Sequence, residues 1–197
     1  MSDEKRPYRM KRRAELEAET RLRITESAVA LHERVGPAQT SISAIAEAAG
    51  VRRSTVYRHF PDEEALFAAC SSHWRAANPP PDLAAWAAIG DPGVRTETAL
   101  RELYAFYART QRMYDSLFRD ETLAPSVALR LRDFHGYLDA ARDVLAKGRG
   151  RTSRRARAAL GHAVAFATWR SLTQEQQLSN DDAASLMCEL VQSASRR

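Results

Sequence analysis

Seven of the eight side chains from Arg52 to His59 share one chemistry. Arg52, Arg53, Ser54, Thr55, Tyr57, Arg58 and His59 are hydrogen-bond donors or flat rings, and no carboxylate interrupts them. Such a set suits a polyanion with readable edges. Arginine can bond guanine through two parallel donors, and a threonine methyl can touch the methyl of thymine. Arg53, Thr55 and Tyr57 are therefore assigned to base edges. Arg52, Ser54, Arg58 and His59, with Ser43 from the preceding segment, are assigned to the sugar–phosphate backbone, which positions without reading sequence.

The stretch 41–60, SISAIAEAAGVRRSTVYRHF, supplies the elements that would hold these groups. Ser41 is an N-cap candidate, because its hydroxyl can accept a free backbone N–H at a helix start. Ile42, Ile45, Ala46 and Ala49 then fall on one helical face. Gly50 reaches the left-handed backbone region at little steric cost and ends the first helix. Arg52 onward opens a second helix with Val56 and Phe60 pointing inward. The layout is a helix-turn-helix whose second helix enters a major groove.

This segment resembles the TetR/AcrR family of bacterial transcriptional regulators. The matching residues are Ile45-Ala46, Ala49-Gly50-Val51, Thr55-Val56-Tyr57-Arg58-His59-Phe60 and the run from Asp62 to Leu66, with Ile24, Ala28, Leu31 and Gly36 upstream. The resemblance implies a DNA-binding regulator rather than an enzyme. It implies a homodimer on a palindromic operator, a larger helical domain that takes a small-molecule effector, and dimerisation through the last two helices. Repression relieved by the effector is the usual mode in the family. Activation, control by a protein partner and control without any ligand remain alternatives. Glu63 stands where the family often has a phosphate-gripping lysine.

Composition agrees with a polyanionic partner. The 197 residues carry 30 Lys and Arg against 25 Asp and Glu, a net charge of +5, and 44% are apolar. That apolar share is enough for a core. The two cysteines, Cys70 and Cys188, offer no disulfide framework, so a reducing cytoplasm is expected. No apolar run reaches the roughly 18 residues of a membrane span, and the first residues lack the core of a secretory signal. Gly-rich phosphate loops, His-Glu-x-x-His and Cys-x-x-Cys are all missing, so neither catalysis nor a cofactor is expected. Cys70 and His73 lie three apart on a helix, but two ligands alone make a poor metal site.

The expected fold is all-α, with three regions. Residues 1–17 form a basic arm, 18–78 the DNA-binding domain and 79–197 the effector-binding and dimerisation domain. In the arm, Lys5, Arg6, Arg9, Lys11, Arg12 and Arg13 face Asp3 and Glu4. It reads either as a flexible arm along a DNA backbone or minor groove, or as a solvated tail. A first helix is expected from Glu15 to Val35, stopped by Gly36-Pro37, with His32 half-buried in the small core. Asp62 should cap a fourth helix. Asn78-Pro79-Pro80-Pro81 breaks the pattern as a hinge.

Beyond the hinge, helices are expected from Val94 to Tyr114, from Pro125, from Ala156 to Leu172 and from Asp181 to Ser195. Tyr104, Tyr107, Phe118, Phe134, His135, Tyr137 and Trp169 are candidate effector-pocket residues, since rings with a few polar tips suit a mixed apolar ligand. His162 is read as a buried structural hydrogen bond. Leu160, Val164 and Ala167, with Met187, Leu190, Val191 and Ala194, are the candidate dimer contacts. The same small-residue faces would also suit an internal core. Arg149, Arg151, Arg154, Arg155 and Arg157 form a basic connector that is either solvated or anion-binding.

Overall fold

In a computed structural model, residues 5–149 and 153–196 are described. Among them no strand occurs, and the fold is all-α. Ten helices are assigned: α1 (Lys5–Val35), α2 (Ile42–Ala48), α3 (Arg53–His59), α4 (Glu63–Ala77), α5 (Leu83–Ala87), α6 (Pro92–Asp120), α7 (Pro125–Ala146), α8 (Arg154–Val164), α9 (Phe166–Arg170) and α10 (Asn180–Ser195). The chain divides into two compact units. The first is Met1–Asn78 with Asp115–Ala128; the second is Pro79–Tyr114 with Leu129–Arg197. The last turn of α6 and the first of α7 thus pack with the first unit, although their sequence lies within the region read as the second domain.

The first unit is built by local rules. Ser41 Oγ accepts from the Ala44 N–H at 3.2 Å, and Asp62 Oδ1 from the Ala65 N–H at 2.7 Å, so both caps form as their positions require. Gly50 takes φ +65° and lets the Val51 N–H turn back to the Ala46 carbonyl at 2.9 Å. Ile24, Ala28, Leu31, Ile42, Ile45, Ala46, Ala49, Val56, Phe60, Leu66 and Cys70 close one core. Burial pushes the Cys70 thiol up to about 12, so it behaves as a small apolar side chain there.

Two expectations for α1 are corrected. The helix begins at Lys5, ten residues before Glu15, so the arm is helical over its described part; residues 1–4 lie outside the described residues. A solvated helix needs no apolar stripe, and an Arg13–Glu17 pair at 3.1 Å, one turn apart, adds a few tenths of a kcal/mol. Val35, the last residue of α1, is exposed.

His32 is more deeply placed than half-buried. It is 6% exposed and sets its ring edge-on to Phe67, with centroids 5.4 Å apart. Loss of hydration lowers its pKa to about 4, although the Asp120 carboxylate pulls the other way. In the unfolded chain the imidazole titrates near 6.5. Its contribution is therefore present above about pH 6.5 and is lost as pH falls toward 4. Stability should drop by about 2 kcal/mol between pH 7 and pH 5 from this group. Urea midpoints of the full chain at these two pH values check it, and His32→Phe should remove that part of the dependence.

The second unit packs α8 against α10 and sets Phe106 and Tyr107 of α6 against Phe134 of α7, with Trp86, Leu100, Leu103, Tyr104, Phe106, Tyr107, Leu131, Leu145 and Leu160 fully buried. Arg95 is 5% exposed and takes carbonyls at both ends of its reach. Its Nε donates to Ile89 O at 2.9 Å and its Nη1 to Lys147 O at 2.6 Å. Arg149 Nη2 donates to Pro92 O at 2.8 Å, so this member of the basic connector serves the fold, not an anion. Arg157 pairs with Asp143 at 2.9 Å, and Arg151 lies outside the described residues.

The helix expected from Ala156 to Leu172 is broken. Ala165 adopts ψ 135°, which ends α8, and α9 starts at Phe166 and runs into a π-helical turn at Ser171–Glu175. The break removes the intrahelical partners of the Ala163 and Val164 carbonyls. Two buried phenols replace them: Tyr104 Oη donates to Ala163 O at 2.9 Å and Tyr107 Oη to Val164 O at 2.6 Å. Burial raises both pKa values, so the two groups stay donors. Without them, two buried acceptors would stand unpaired, at about 1–3 kcal/mol each.

Candidate nucleic-acid interface

The α3 surface emerges from the turn that positions it. Val56 and Phe60 are buried at 0% and 1% exposure and fix the rotation of the helix. That rotation leaves Arg52, Arg53, Ser54, Tyr57 and Arg58 exposed, with Thr55 and His59 half-buried. Ser43, on α2, is exposed as well. All eight residues assigned to DNA therefore lie on one helix-turn-helix. Thr55 and His59 offer it less surface than the others. The Arg53 side chain makes no hydrogen bond to the described residues, so its donors stay available.

His59 needs a separate statement. Its Nε2 is buried without a hydrogen-bond partner among the described residues. Loss of hydration, and then the charges of Arg58 and Arg21, hold its pKa below the ordinary value. A neutral ring is a weaker phosphate ligand than the sequence assignment implies.

Two functional residues escape a reading of the sequence. Arg21 on α1 donates to the His59 carbonyl, the last of α3, and lays its guanidinium 4.1 Å from the centre of the Phe60 ring. Arg23 Nε donates at 3.0 Å to the Ala49 carbonyl, where α2 ends. Cations at these ends match the negative pole of each helix dipole, and the stacking adds a cation–π contact. Both arginines thus tie the reading head to α1. Their partners are 26 and 38 residues away, and nothing in the local sequence marks them.

A family comparison settles what this arrangement belongs to. The model for bacterial regulatory proteins of the tetR family matches residues 24–70, the span from α1 to α4 that holds this geometry. Over that span the chain matches the tetR family of bacterial regulatory proteins. No curated protein matches it in sequence. Solved structures of transcriptional regulators share its fold over about nine-tenths of the chain. A TetR-like transcriptional regulator from Rhodococcus sp. RHA1 is 19% identical with a TM-score of 0.66, over 88% of this chain and 93% of that one. A TetR-family regulator from Streptomyces coelicolor is 21% identical with a TM-score of 0.57, over 90% and 79%. The transcriptional regulator FadR from Bacillus subtilis, in complex with stearoyl-CoA, is 16% identical with a TM-score of 0.55, over 89% and 97%.

In the second unit, the effector candidates separate. Tyr107 packs 6.3 Å from Tyr104, 6.3 Å from Phe134 and 5.7 Å from Trp169, and Phe134 stacks on Tyr137 at 6.1 Å. Their polar tips face backbone or a neighbour, not open space. The Tyr104 and Tyr107 hydroxyls serve the helix break, Tyr137 Oη donates to Pro81 O at 2.9 Å, and Trp169 Nε1 to Asn180 Oδ1 at 2.9 Å. His135 is exposed, and Phe118 belongs to the first unit. His162, expected to be buried, is exposed and shares a 3.1 Å hydrogen bond with Thr168 Oγ1 through its Nδ1.

The dimer candidates need correcting on burial. Leu160, Val164, Met187, Val191 and Ala194 are all under 7% exposed inside their own unit, where α8 packs on α10. They hold the chain's own core and have no surface left for a second copy. Ala167 and Leu190 are exposed, and Leu186, one turn before Leu190, is 43% exposed. Helical spacing cannot say which of two small-residue faces turns inward. Among the described residues no metal-holding group of three or more His, Cys, Asp or Glu occurs, and no helix is long and apolar enough to cross a membrane.

Proposed function

We propose that this chain binds a palindromic operator as a homodimer, represses transcription there, and is released by a small-molecule effector held in its second unit. The observation that carries the DNA part is the bare, carboxylate-free face of α3, with Arg53 and Tyr57 in solvent. Two copies must reach successive major grooves about 34–36 Å apart. Leu186 and Leu190, exposed one turn apart on α10, suit the apolar contact between copies. The aromatic interior of the second unit and the stearoyl-CoA in the similarly folded regulator from Bacillus subtilis support an effector with an apolar body. Helical arm residues Lys11, Arg12 and Arg13, all exposed, extend the phosphate contact beyond α3.

Selection of bound fragments from random DNA tests this reading. The expected product is an inverted repeat whose half-sites lie one helical turn, or a multiple of it, apart. Enrichment of a single unrepeated site would refute the dimer. No enrichment at low salt would refute DNA reading altogether.

A further inference from the structure

Pro79, Pro80 and Pro81 follow the end of α4, and a proline carries no N–H. This segment can therefore be held only through its carbonyls, and the second unit holds two of them. Tyr137 Oη, on α7, donates to Pro81 O at 2.9 Å. Arg109 Nη2, on α6, donates to Pro79 O at 3.0 Å. The two donors differ in what stands behind them. Arg109 is exposed, with its guanidinium 4.8 Å from the centre of the Phe106 ring. Tyr137 is half-buried and stacks on Phe134, 6.1 Å away and 12° from parallel. Phe134 in turn lies 4.4 Å from Tyr114 and 6.3 Å from Tyr107. Burial, and then the carboxylates of Glu102 and Asp82, raise the Tyr137 pKa, so the phenol stays a donor. On one side of the prolines, Asn78 is bound into α4, with its N–H and Nδ2 both on Trp74 O at 2.9 and 3.0 Å. On the other, Asp82 starts α5 and takes the Ala84 N–H at 2.8 Å and the Trp86 N–H at 3.3 Å.

We propose that the Tyr137–Pro81 hydrogen bond is a latch through which the second unit sets the freedom of its connection to α4. This rests on the effector reading above. An effector whose apolar body displaces the Tyr137 ring from Phe134 draws the hydroxyl off the Pro81 carbonyl. The stretch free to move then grows from the junction of Asn78 and Pro79 to all three prolines. A longer free connection holds two reading helices less strictly at one spacing, and the second half-site is reached less often. The latch opens readily, because a released carbonyl takes water in exchange and one such bond has a small net worth.

Tyr137→Phe keeps the ring and removes only the tie. On the free full chain, hydrogen exchange at Ala84 and Trp86, whose N–H groups Asp82 holds, should quicken about two- to tenfold, as loss of one hydrogen bond implies. Exchange in α8 and α10 should not change. Affinity for the selected operator should fall by a factor in the same range, with scrambled DNA bound as before. Phe134→Leu takes away the stacked ring and should give the same pair of changes with the hydroxyl present. Tyr104→Phe is the control: it loses a phenol bond of the same kind in the same unit, to Ala163 O, and should alter neither. The latch is overturned if Tyr137→Phe exchanges like the wild type, if operator affinity is kept despite faster exchange, or if Tyr104→Phe behaves the same way. It is overturned as well if Phe134→Leu leaves Ala84 and Trp86 unchanged. Exchange is read without DNA or effector, so a failed latch is distinct from a failed operator or effector reading.

Discussion

Gly36→Ala is expected to destabilise the first unit by about 3 kcal/mol or more, the combined cost of a glycine-only backbone and a clash with a buried charge. Gly36 follows α1 at φ 91° and ψ 155°, a combination that side chains disfavour strongly. A Cβ there would sit against Arg119 Nη2 and Asp120 Oδ2, closer than real Cβ atoms come. Neither can simply withdraw. Asp120 is 1% exposed, accepts the Ala38 N–H at 3.0 Å and pairs with Arg119 Nε at 2.9 Å. Arg119 Nη2 in turn holds the Val35 carbonyl at 2.9 Å. Moving the carboxylate would strand a buried charge.

Gly50→Ala is the control. Gly50 also has a positive φ, +65°, but nothing lies within 4 Å of the added carbon, so only the left-handed backbone is penalised, by about 1–2 kcal/mol. Urea midpoints of the two variants should differ clearly, with Gly36→Ala the lower. Equal midpoints would mean that the Asp120 contact yields easily and does not hold the end of α1.

The same residues show how far the sequence could be read. Ser41, Gly50 and Asp62 act on neighbours three or four positions away, so caps, turn and helix order follow from local chemistry. The end of α1 at Gly36 was legible for that reason. Its partner was not, because Asp120 lies 84 residues on. The break at Ala165 has the same character. Alanine is the best helix former, and the reason for the break lies in Tyr104 and Tyr107, nearly 60 residues upstream. The early start of α1 was hidden differently: a helix in solvent has no apolar period to betray it. At the interface, exposure of Arg53 and Tyr57 follows from the burial of Val56 and Phe60 on a seven-residue helix, so its face was legible from spacing. Arg21 and Arg23, which steady that face from α1, were not.

Arg53→Ala should have the largest effect on DNA reading and almost none on the fold. Its side chain is exposed and takes no part in the hydrogen bonding of the described residues, while the α3 backbone is held by Arg21, Val56 and Phe60. A lost arginine–guanine pair costs about 1–3 kcal/mol of discrimination. A symmetric dimer loses it in both half-sites, so operator against scrambled DNA should lose about 2–6 kcal/mol, if the two distant sites add. Scrambled DNA itself should be bound only slightly more weakly, and the salt slope should stay nearly unchanged, because a base-reading arginine leaves the count of neutralised phosphates as it was. Replacing Lys11, Arg12 and Arg13 together gives the opposite signature, because an exposed basic helix touches backbone alone. The slope should flatten while the ratio of operator to scrambled affinity is kept. Fluorescence anisotropy on both DNAs across a salt series separates these outcomes. An Arg53→Ala protein that loses both DNAs equally would move Arg53 from base reading to phosphate holding and leave Tyr57 and Thr55 as the readers on α3.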